Sequence, residues 1–401
     1  MSRVSGTLKI LIYGEYFLPV VGGVQTSMNL LARGLLELNA RQERDVSFPK
    51  IEVTVVTQTA ANGADDTIFP YLVVRQPRFR TLIKLIRDAD VIHVAGPCLL
   101  PMLIGSLIRK PVLVEHHGYQ AICPNGLLFR EPSRTVCSGY FAQRKYGKCL
   151  RCASQTMGLG GGFRALLLTF PRRWLCKKIV ANITISDHVA TRLKLPHSRT
   201  VYYGIEETCD ATVEATTSSQ SDLSEVGYVG RLVVEKGPHV LLHAAKLLSD
   251  RGNRIRVVFI GDGPERTRLE ELTDDLRLKD FVRFTGDLRG LEFEQAVSRL
   301  KMVVMPSLCE ETAGLSAIEQ MMRGRVVVVT DIGGLSEIVG DAGLKFAPGD
   351  SRALAECIRK VLDDPLLEAS LGSVARERAM QLFKLDSMIE AHVFLYRAIS
   401  R

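Results

Sequence analysis

Long hydrophobic runs are missing from this chain of 401 residues. No charge-free apolar stretch approaches the roughly 18 residues needed to span a bilayer, and the opening MSRVSGTLKILIYG has too short an apolar core for a secretory signal. The expectation is a cytoplasmic protein. Cysteine is sparse: nine residues exclude a disulfide framework, and thiols in that compartment stay reduced unless they bind metal. A G-x-G-x-x-G motif is also missing after the first strand-like run, which removes the usual sign of a nicotinamide-dependent dehydrogenase.

What the chain does have is length for two cores, so two domains of about 200 residues each are expected. Its net charge of +8 is local. Residues 130–178 carry eleven Lys or Arg against one acid, Glu131, while the remainder is slightly acidic. So concentrated a patch suits an anionic partner, phospholipid headgroups or a phosphorylated acceptor, rather than a nucleic acid, whose binders spread charge along a groove. A plain solvated face accounts for it equally.

The first half alternates strand and helix patterns. LKILIYG is a short apolar strand, EYFLPVVGGVQ a loop, and TSMNLLARGLLELNA a helix. Gly22 and Gly23 lie just before that helix, where amide N–H groups and the positive helix end suit an anion or a sugar hydroxyl, or where the chain simply turns tightly. IEVTVVT, YLVVRQ, DVIHVA and PVLVEHH read as further strands, with LLPMLIGSLIRK a helix between the last two, and this order gives a parallel sheet. His93, His116 and His117 sit at or just past strand ends. Adjacent residues of a strand project to opposite faces, so His117, nearer the loop, is the candidate for the crevice and His116 the packing residue.

A long excursion follows with Cys123, Cys137, Cys149 and Cys152, the last two as C-x-x-C. Four thiols in a stretch without periodicity fit a structural zinc site, and equally free or redox-active thiols. GGGFRALLLTFPRRWLCKK then offers a Gly-rich hinge, Phe163, Leu166, Leu167 and Phe170 on one helical face, and a basic run around Trp174. Membrane-surface docking and packing on the sheet both suit it. IVANITISD is the expected last strand of this half.

Residues 205–224 are polar and without period, a linker. On this reading residues 1–204 form a first Rossmann-like domain, 225–385 a second, and 386–401 a C-terminal helix. VGYVGRL restarts a strand, and a helix begins after Gly237 and Pro238. Arg231 and Lys236 lie in the intervening loop, where two cations and helix N–H groups can hold a diphosphate. RIRVVFIGDGPER repeats the unit: Gly261, Gly263 and Arg266 stand at the three glycine positions of a dinucleotide fingerprint, with Arg third, which is weak support for NAD. In KMVVMPSLCEETAGLSAIEQMM a buried strand ends at Pro306. Glu311 lies in the loop, Gly314 frees the backbone, and Glu319 falls in the first turns of a helix. Both carboxylates can then point to the crevice beyond the strand's end, where open α/β sheets bind ligands. VVVVTDIGGLSEIVG gives a strand, the Gly333-Gly334 turn and a helix start.

Taken in order, PVVGGVQ, His117 after its strand, YVGRLVVEKG, IGDGPER, the E-x7-E pair Glu311 and Glu319 in EETAGLSAIE, and DIGGLSEIV resemble the family-4 retaining glycosyltransferases of the GT-B fold. That fold has two Rossmann-like domains with parallel sheets facing across a cleft. The resemblance implies that Arg231 and Lys236 hold the diphosphate of a nucleotide sugar, helped by the backbone around Gly314 and Leu315. It implies that Glu319 bonds the ribose, that Glu311 and His117 touch the donor sugar, and that Gly22, Gly23 and Gly263 shape the donor site. His117, Glu311, Arg231 and Lys236 are the implied catalytic residues. Such a family carries a terminal helix that crosses back to the first domain, matched here by KLDSMIEAHVFLYRAIS. Ala313, Gly118, Tyr203 and Val326 stand where the family commonly has Phe, an acid, Asn and Pro.

Fixed cations on a departing diphosphate stabilise it as charge develops. With them in place, and with no D-x-D pair at a strand end, no metal or cofactor is required for catalysis. The expected function is transfer of a hexose from a nucleotide-diphosphate sugar, with retention, to a glycan, lipid-linked or phosphorylated acceptor on the first domain. The enzyme is expected in the cytoplasm, peripheral at the inner membrane face through residues 130–178. A sugar-nucleotide epimerase, a sugar phosphorylase and a non-catalytic nucleotide-sugar binder are the alternatives.

Overall fold

Strands buried along their whole length set the architecture. VIHVA, VLVEH and VVVVT have every residue buried, the mark of parallel strands covered on both faces. The structure, a computed structural model, describes residues 6–20, 22–41, 50–63, 65–207 and 223–400. Most of the expected linker therefore lies outside the described residues.

In chain order the first half comprises β1 (Leu8–Gly14), α1 (Gly23–Arg41), β2 (Ile51–Thr57), β3 (Leu72–Arg75), α2 (Phe79–Asp88), β4 (Val91–Ala95), α3 (Leu99–Leu107) and β5 (Val112–His116). A hairpin of β6 (Phe129–Arg130) and β7 (Thr135–Val136) follows, then α4 (Tyr146–Cys176), β8 (Ala181–Thr184), α5 (Asp187–Leu193) and β9 (Ser198–Thr200). The second half runs β10 (Glu225–Val229), α6 (Pro238–Asp250), β11 (Arg256–Ile260), α7 (Arg266–Asp275), β12 (Val282–Gly286), α8 (Gly290–Ser298), β13 (Leu300–Met305) and α9 (Leu315–Met322). It continues with β14 (Val326–Thr330), α10 (Gly333–Val339), β15 (Leu344–Phe346), α11 (Ser351–Asp363), α12 (Pro365–Leu382) and α13 (Leu385–Ile399).

Two compact units result. Residues 1–128, 138–205 and 383–401 form the first, and residues 129–137 and 206–382 the second. The first holds a seven-stranded sheet in the order β3-β2-β1-β4-β5-β8-β9, the second a six-stranded sheet in the order β12-β11-β10-β13-β14-β15. Every pairing within these two sheets is parallel. Strand order therefore reverses between β1 and β4 and between β10 and β13, and each reversal opens a crevice beyond the carboxyl ends.

Each unit has its own core. In the first, Ile10 and Ile12 of β1 and Met28, Leu31 and Leu35 of α1 pack with Met388, Ile389, Val393 and Tyr396 of α13. Ile205 joins this last segment by an isolated parallel bridge to Lys384, so the chain's end belongs to the unit built at its beginning. In the second, Val226 and Tyr228 of β10 and Met302 and Val304 of β13 meet Leu241, Leu242 and Leu248 of α6 and Leu354 and Ile358 of α11.

Helix ends follow local chemistry. Ser186 caps α5 by accepting from the Val189 amide, and Asp350 caps α11 by accepting from Arg352 and Ala353. Pro238 opens α6 behind a left-handed Gly237.

Four local expectations change. Gly23 is the first residue of α1 rather than part of the preceding loop. FRTLIKLIRD forms α2, an amphipathic helix burying Leu82 and Ile86, which short charged runs between strands concealed. The first half ends with one more short strand, β9, after β8. Finally, Cys149 and Cys152 lie on α4 rather than in an irregular loop. The break in that helix is at Gly158 (φ 71°) and not at the triple glycine, which is helical. No described helix is long and apolar enough to cross a membrane.

Candidate functional site

In the second unit two loops leave the carboxyl ends of β10 and β13 and are laced together. The Leu308 amide donates to the Glu235 carbonyl at 2.8 Å. Gly237, at φ 62°, passes so close that a Cβ there would stand 2.2 Å from the Pro306 carbonyl oxygen. This approach brings Lys236, on the first loop, to Glu311, on the second. Its ammonium donates to both carboxylate oxygens, at 2.8 and 2.9 Å. Ser307, 1% exposed, donates its hydroxyl to the same carboxylate.

Burial pushes the Glu311 carboxyl up, but the Lys236 charge and its hydrogen bonds, with that of Ser307, outweigh it and hold the carboxyl below its ordinary value. Lys236 is correspondingly raised: burial opposes its charge and Glu311 restores it. The pair is ionised at neutral pH, with Lys236 about one-third exposed and Glu311 one-eighth, so its open side can receive a ligand.

Arg231 is exposed on the first loop, and its carbonyl accepts from the Tyr228 hydroxyl at 2.7 Å, which fixes the loop's start. Gly263 backs the loop so closely that a Cβ would meet the Leu232 carbonyl oxygen at 2.4 Å. Gly314, at φ 99°, begins α9 with no side-chain cap, so Leu315 opens the helix with its amide available to an anion. Glu319 lies one turn on. Enclosure by protein pushes its carboxyl up to about 7, with Arg323 pulling the other way and Glu294 adding to the rise. The Gly334 amide donates to the Glu311 carbonyl at 2.7 Å, so the start of α10 braces the same loop. Arg266, by contrast, is spent on Asp262 in the preceding loop and Glu270 on α7.

In the first unit, Gly22 accepts from the Thr26 amide at 3.0 Å, and Gly23 starts α1. A pocket opens beyond the ends of β1, β4 and β5, lined among others by Glu15, Gln25, Gly96, His117, Gln120 and Arg172. His117 is held there by the Tyr203 hydroxyl, 2.7 Å from its Nδ1, and by ring stacking on Tyr203. Its Nε2 lies 3.7 Å from the Glu115 carboxylate. Burial pushes the imidazole below its ordinary value, with Glu115 opposing. His116 points the other way: its Nε2 is 2.8 Å from Asn182 Oδ1 inside the sheet, the packing role expected of it.

Of the thiols, Cys123 donates to Asn125 Oδ1 at 2.9 Å, and Asn125 donates to Cys152 Sγ at 3.6 Å. Cys149 and Cys152 share the first turns of α4. Cys137 ends the hairpin segment grouped with the second unit.

The arrangement in the second unit offers Lys236, Arg231 and a helix N-terminus to an anion, with a carboxylate poised for hydroxyls beside it. Sequence reasoning missed Ser307, and it read Arg172 as part of the basic run around Trp174 rather than as a neighbour of His117. It also passed over Glu115, although a carboxylate inside the apolar strand VLVEH was a visible anomaly.

Comparison with known proteins agrees with this picture. Residues 214–378 match the family model described as glycosyl transferases group 1. The chain is 31% identical over 215 residues to a 2-deoxystreptamine glucosyltransferase of Streptomyces kanamyceticus, covering 50% of this chain and 55% of that protein. It is 33% identical over 210 residues to a D-inositol 3-phosphate glycosyltransferase of Corynebacterium urealyticum, covering 49% of each. The chain thus spans about half the length of these curated relatives.

Among solved structures, Anabaena HepE in complex with UDP superposes with a TM-score of 0.72 at 18% identity, covering 98% of this chain and 100% of that one. A sucrose-phosphate synthase from Thermosynechococcus elongatus superposes at 0.69 with 21% identity, covering 98% of both. The fold is the GT-B fold of glycosyltransferases.

Proposed function

We propose that this protein is a retaining glycosyltransferase that moves a hexose from a nucleoside-diphosphate sugar to an acceptor bound by the first unit. The observation that carries the reading is the Lys236–Glu311–Ser307 group, set between the β10 and β13 loops beside the start of α9. A diphosphate reaching this place meets Lys236, Arg231 and the Leu315 amide. The sugar's hydroxyls meet Glu311, and the ribose meets Glu319 one turn along the helix. As the bond from the anomeric carbon to the phosphate oxygen breaks, negative charge grows on the diphosphate. Lys236 and Arg231 stabilise it there, in a site already arranged for it. His117, Gly22 and Gly23 of the first unit keep their assignment to the donor as part of this proposal.

The pocket beside His117 supports the acceptor assignment. Arg172 and Gln25 line it, a polar setting that fits a glycan, lipid-linked or phosphorylated acceptor. Membrane association rests on α4. Leu159 (81% exposed), Phe163 (54%), Leu167 and Trp174 (58%) stand outward at helical spacing, among the basic residues of 130–178, the composition of a surface that docks on anionic lipid. A cytoplasmic enzyme at the inner membrane face follows from that reading.

The test is a melting screen with UDP, GDP and ADP sugars, followed by transfer to candidate acceptors, because a ligand bound only by the native state raises the melting temperature. Lys236→Ala is expected to abolish the shift, and Glu311→Ala to reduce transfer at least a hundredfold, the scale of removing one charge-stabilising group. Retained transfer in both variants overturns the site. Turnover of the sugar nucleotide without acceptor identifies an epimerase or hydrolytic reaction instead.

A further inference from the structure

Three imidazoles converge on one carboxylate oxygen deep in the first unit. Glu115 Oε2 lies 3.0 Å from His93 Nε2, 3.7 Å from His117 Nε2 and 3.8 Å from His392 Nε2. The four side chains are at most 4% exposed. The nitrogens that face away are each anchored: His93 Nδ1 by the Tyr396 hydroxyl at 2.7 Å, His117 Nδ1 by the Tyr203 hydroxyl at 2.7 Å, and His392 Nδ1 by the Met388 carbonyl at 2.8 Å. Fixing the outer nitrogen aims the inner one, as outer partners do for metal-binding histidines.

His392 decides what the arrangement suits. A carbonyl only accepts, so Nδ1 of His392 carries the proton. In the neutral ring Nε2 is then a lone pair aimed at a carboxylate 3.8 Å away, too far for a hydrogen bond, and it has no hydrogen-bond partner. A lone pair facing an anion in a dry interior is unfavourable unless a cation stands between them.

We propose that His93, Glu115 and His392 bind a divalent transition-metal ion, zinc by the chemistry of the set. Their ligand atoms all lie within 4.8 Å of one another. Ligands at about 2.0–2.1 Å in a tetrahedron are separated by about 3.3 Å, which the 3.0 and 3.8 Å separations bracket. Two imidazoles and one carboxylate select zinc over the harder magnesium and calcium ions. The ligands come from β4, β5 and α13, so the ion ties the end of the chain to the centre of the first sheet. Glu115 also faces His117, so the ion fixes the carboxylate that backs that imidazole. The inference is independent of the transferase reading and assigns the ion no step in a reaction.

The experiment uses the full chain. Elemental analysis is made on the wild type, on Cys149→Ser/Cys152→Ser, and on His392→Gln. The expected result is one ion that survives the cysteine double substitution, and whose affinity falls at least tenfold in His392→Gln. Cobalt(II) loaded into the cysteine variant is expected to give visible ligand-field bands without the near-ultraviolet band of cobalt–thiolate bonds. Zinc added to the stripped cysteine variant is expected to raise its melting temperature. If the cysteine variant holds no ion and zinc leaves its melting unchanged, or if His392→Gln binds as the parent does, the proposal is overturned and His392 is an imidazolium paired with Glu115. Should His392→Gln fail to fold, metal content and cobalt spectrum of the cysteine variant still decide.

Discussion

Glu311 and Lys236 are an ion pair before any ligand arrives, so a diphosphate must compete with the carboxylate for the ammonium. On the proposed function, binding that draws Lys236 toward phosphate would release Glu311 for sugar hydroxyls and so couple recognition of the two halves of the donor. Glu319 behaves differently. Its folded-state carboxyl is pushed up to about 7 by enclosure, so between its ordinary range and that value the folded chain holds a proton that the unfolded chain releases. Its contribution to stability therefore falls as pH rises through this window. Glu319→Gln is expected to melt above the wild type at pH 8, with the difference shrinking toward pH 5, while binding nucleotide more weakly. An equal offset at both pH values would contradict this. The types of these residues were legible in the sequence, since loops past strand ends are where ligands bind. Their partners were not. Ser307 is an ordinary serine until Glu311 folds back beside it, and Tyr203, an oddity against the resembled family, proves to be the group that orients His117.

At the scale of elements, the central strands were readable because they are short apolar runs ended by glycine, proline or a polar turn, whereas β9, the polar Ser198–Thr200, was not. Helix α4 was not: its glycines suggested a hinge, and its cysteines a loop. The fold divides its apolar positions, burying Leu166 and leaving Phe163 and Leu167 outward. Replacing Arg172, Arg173, Lys177 and Lys178 with Gln is expected to abolish binding to phosphatidylglycerol vesicles at low salt, at about 1 kcal/mol per basic residue near the surface. Leu167→Glu is expected to weaken binding at any salt. Co-sedimentation checks both, and a parent that does not bind vesicles refutes the docking role of α4. The loop between β10 and α6 tolerates less: Gly237→Ala combines a left-handed φ with a backbone collision at Pro306 and is expected to cost about 2 kcal/mol or more, read by denaturant titration.

Two units with separate cores are expected to unfold as two cooperative units. The residues proposed to bind the donor, Arg231, Lys236, Glu311 and Glu319, all belong to the second. Calorimetry is expected to show two transitions, with the nucleotide sugar that raises melting in the screen raising only that of the second unit. Removing residues 383–401 strips Met388, Ile389, Val393 and Tyr396 from the first core and is expected to lower only the other transition. A single transition shifted by both treatments would contradict it. The parallel sheets followed from the alternating pattern, whereas the strand orders emerged only with the structure, and no local signal ties His392 to Glu115, because that contact exists only once the last helix returns. The first unit thus owes part of its core to the final residues of the chain. During synthesis its sheet is made first yet waits, its α13-facing surface uncovered, while every strand of the second unit leaves the ribosome. The half made first is completed last, and a product truncated before α13 would carry a complete second unit beside a first unit short of part of its core.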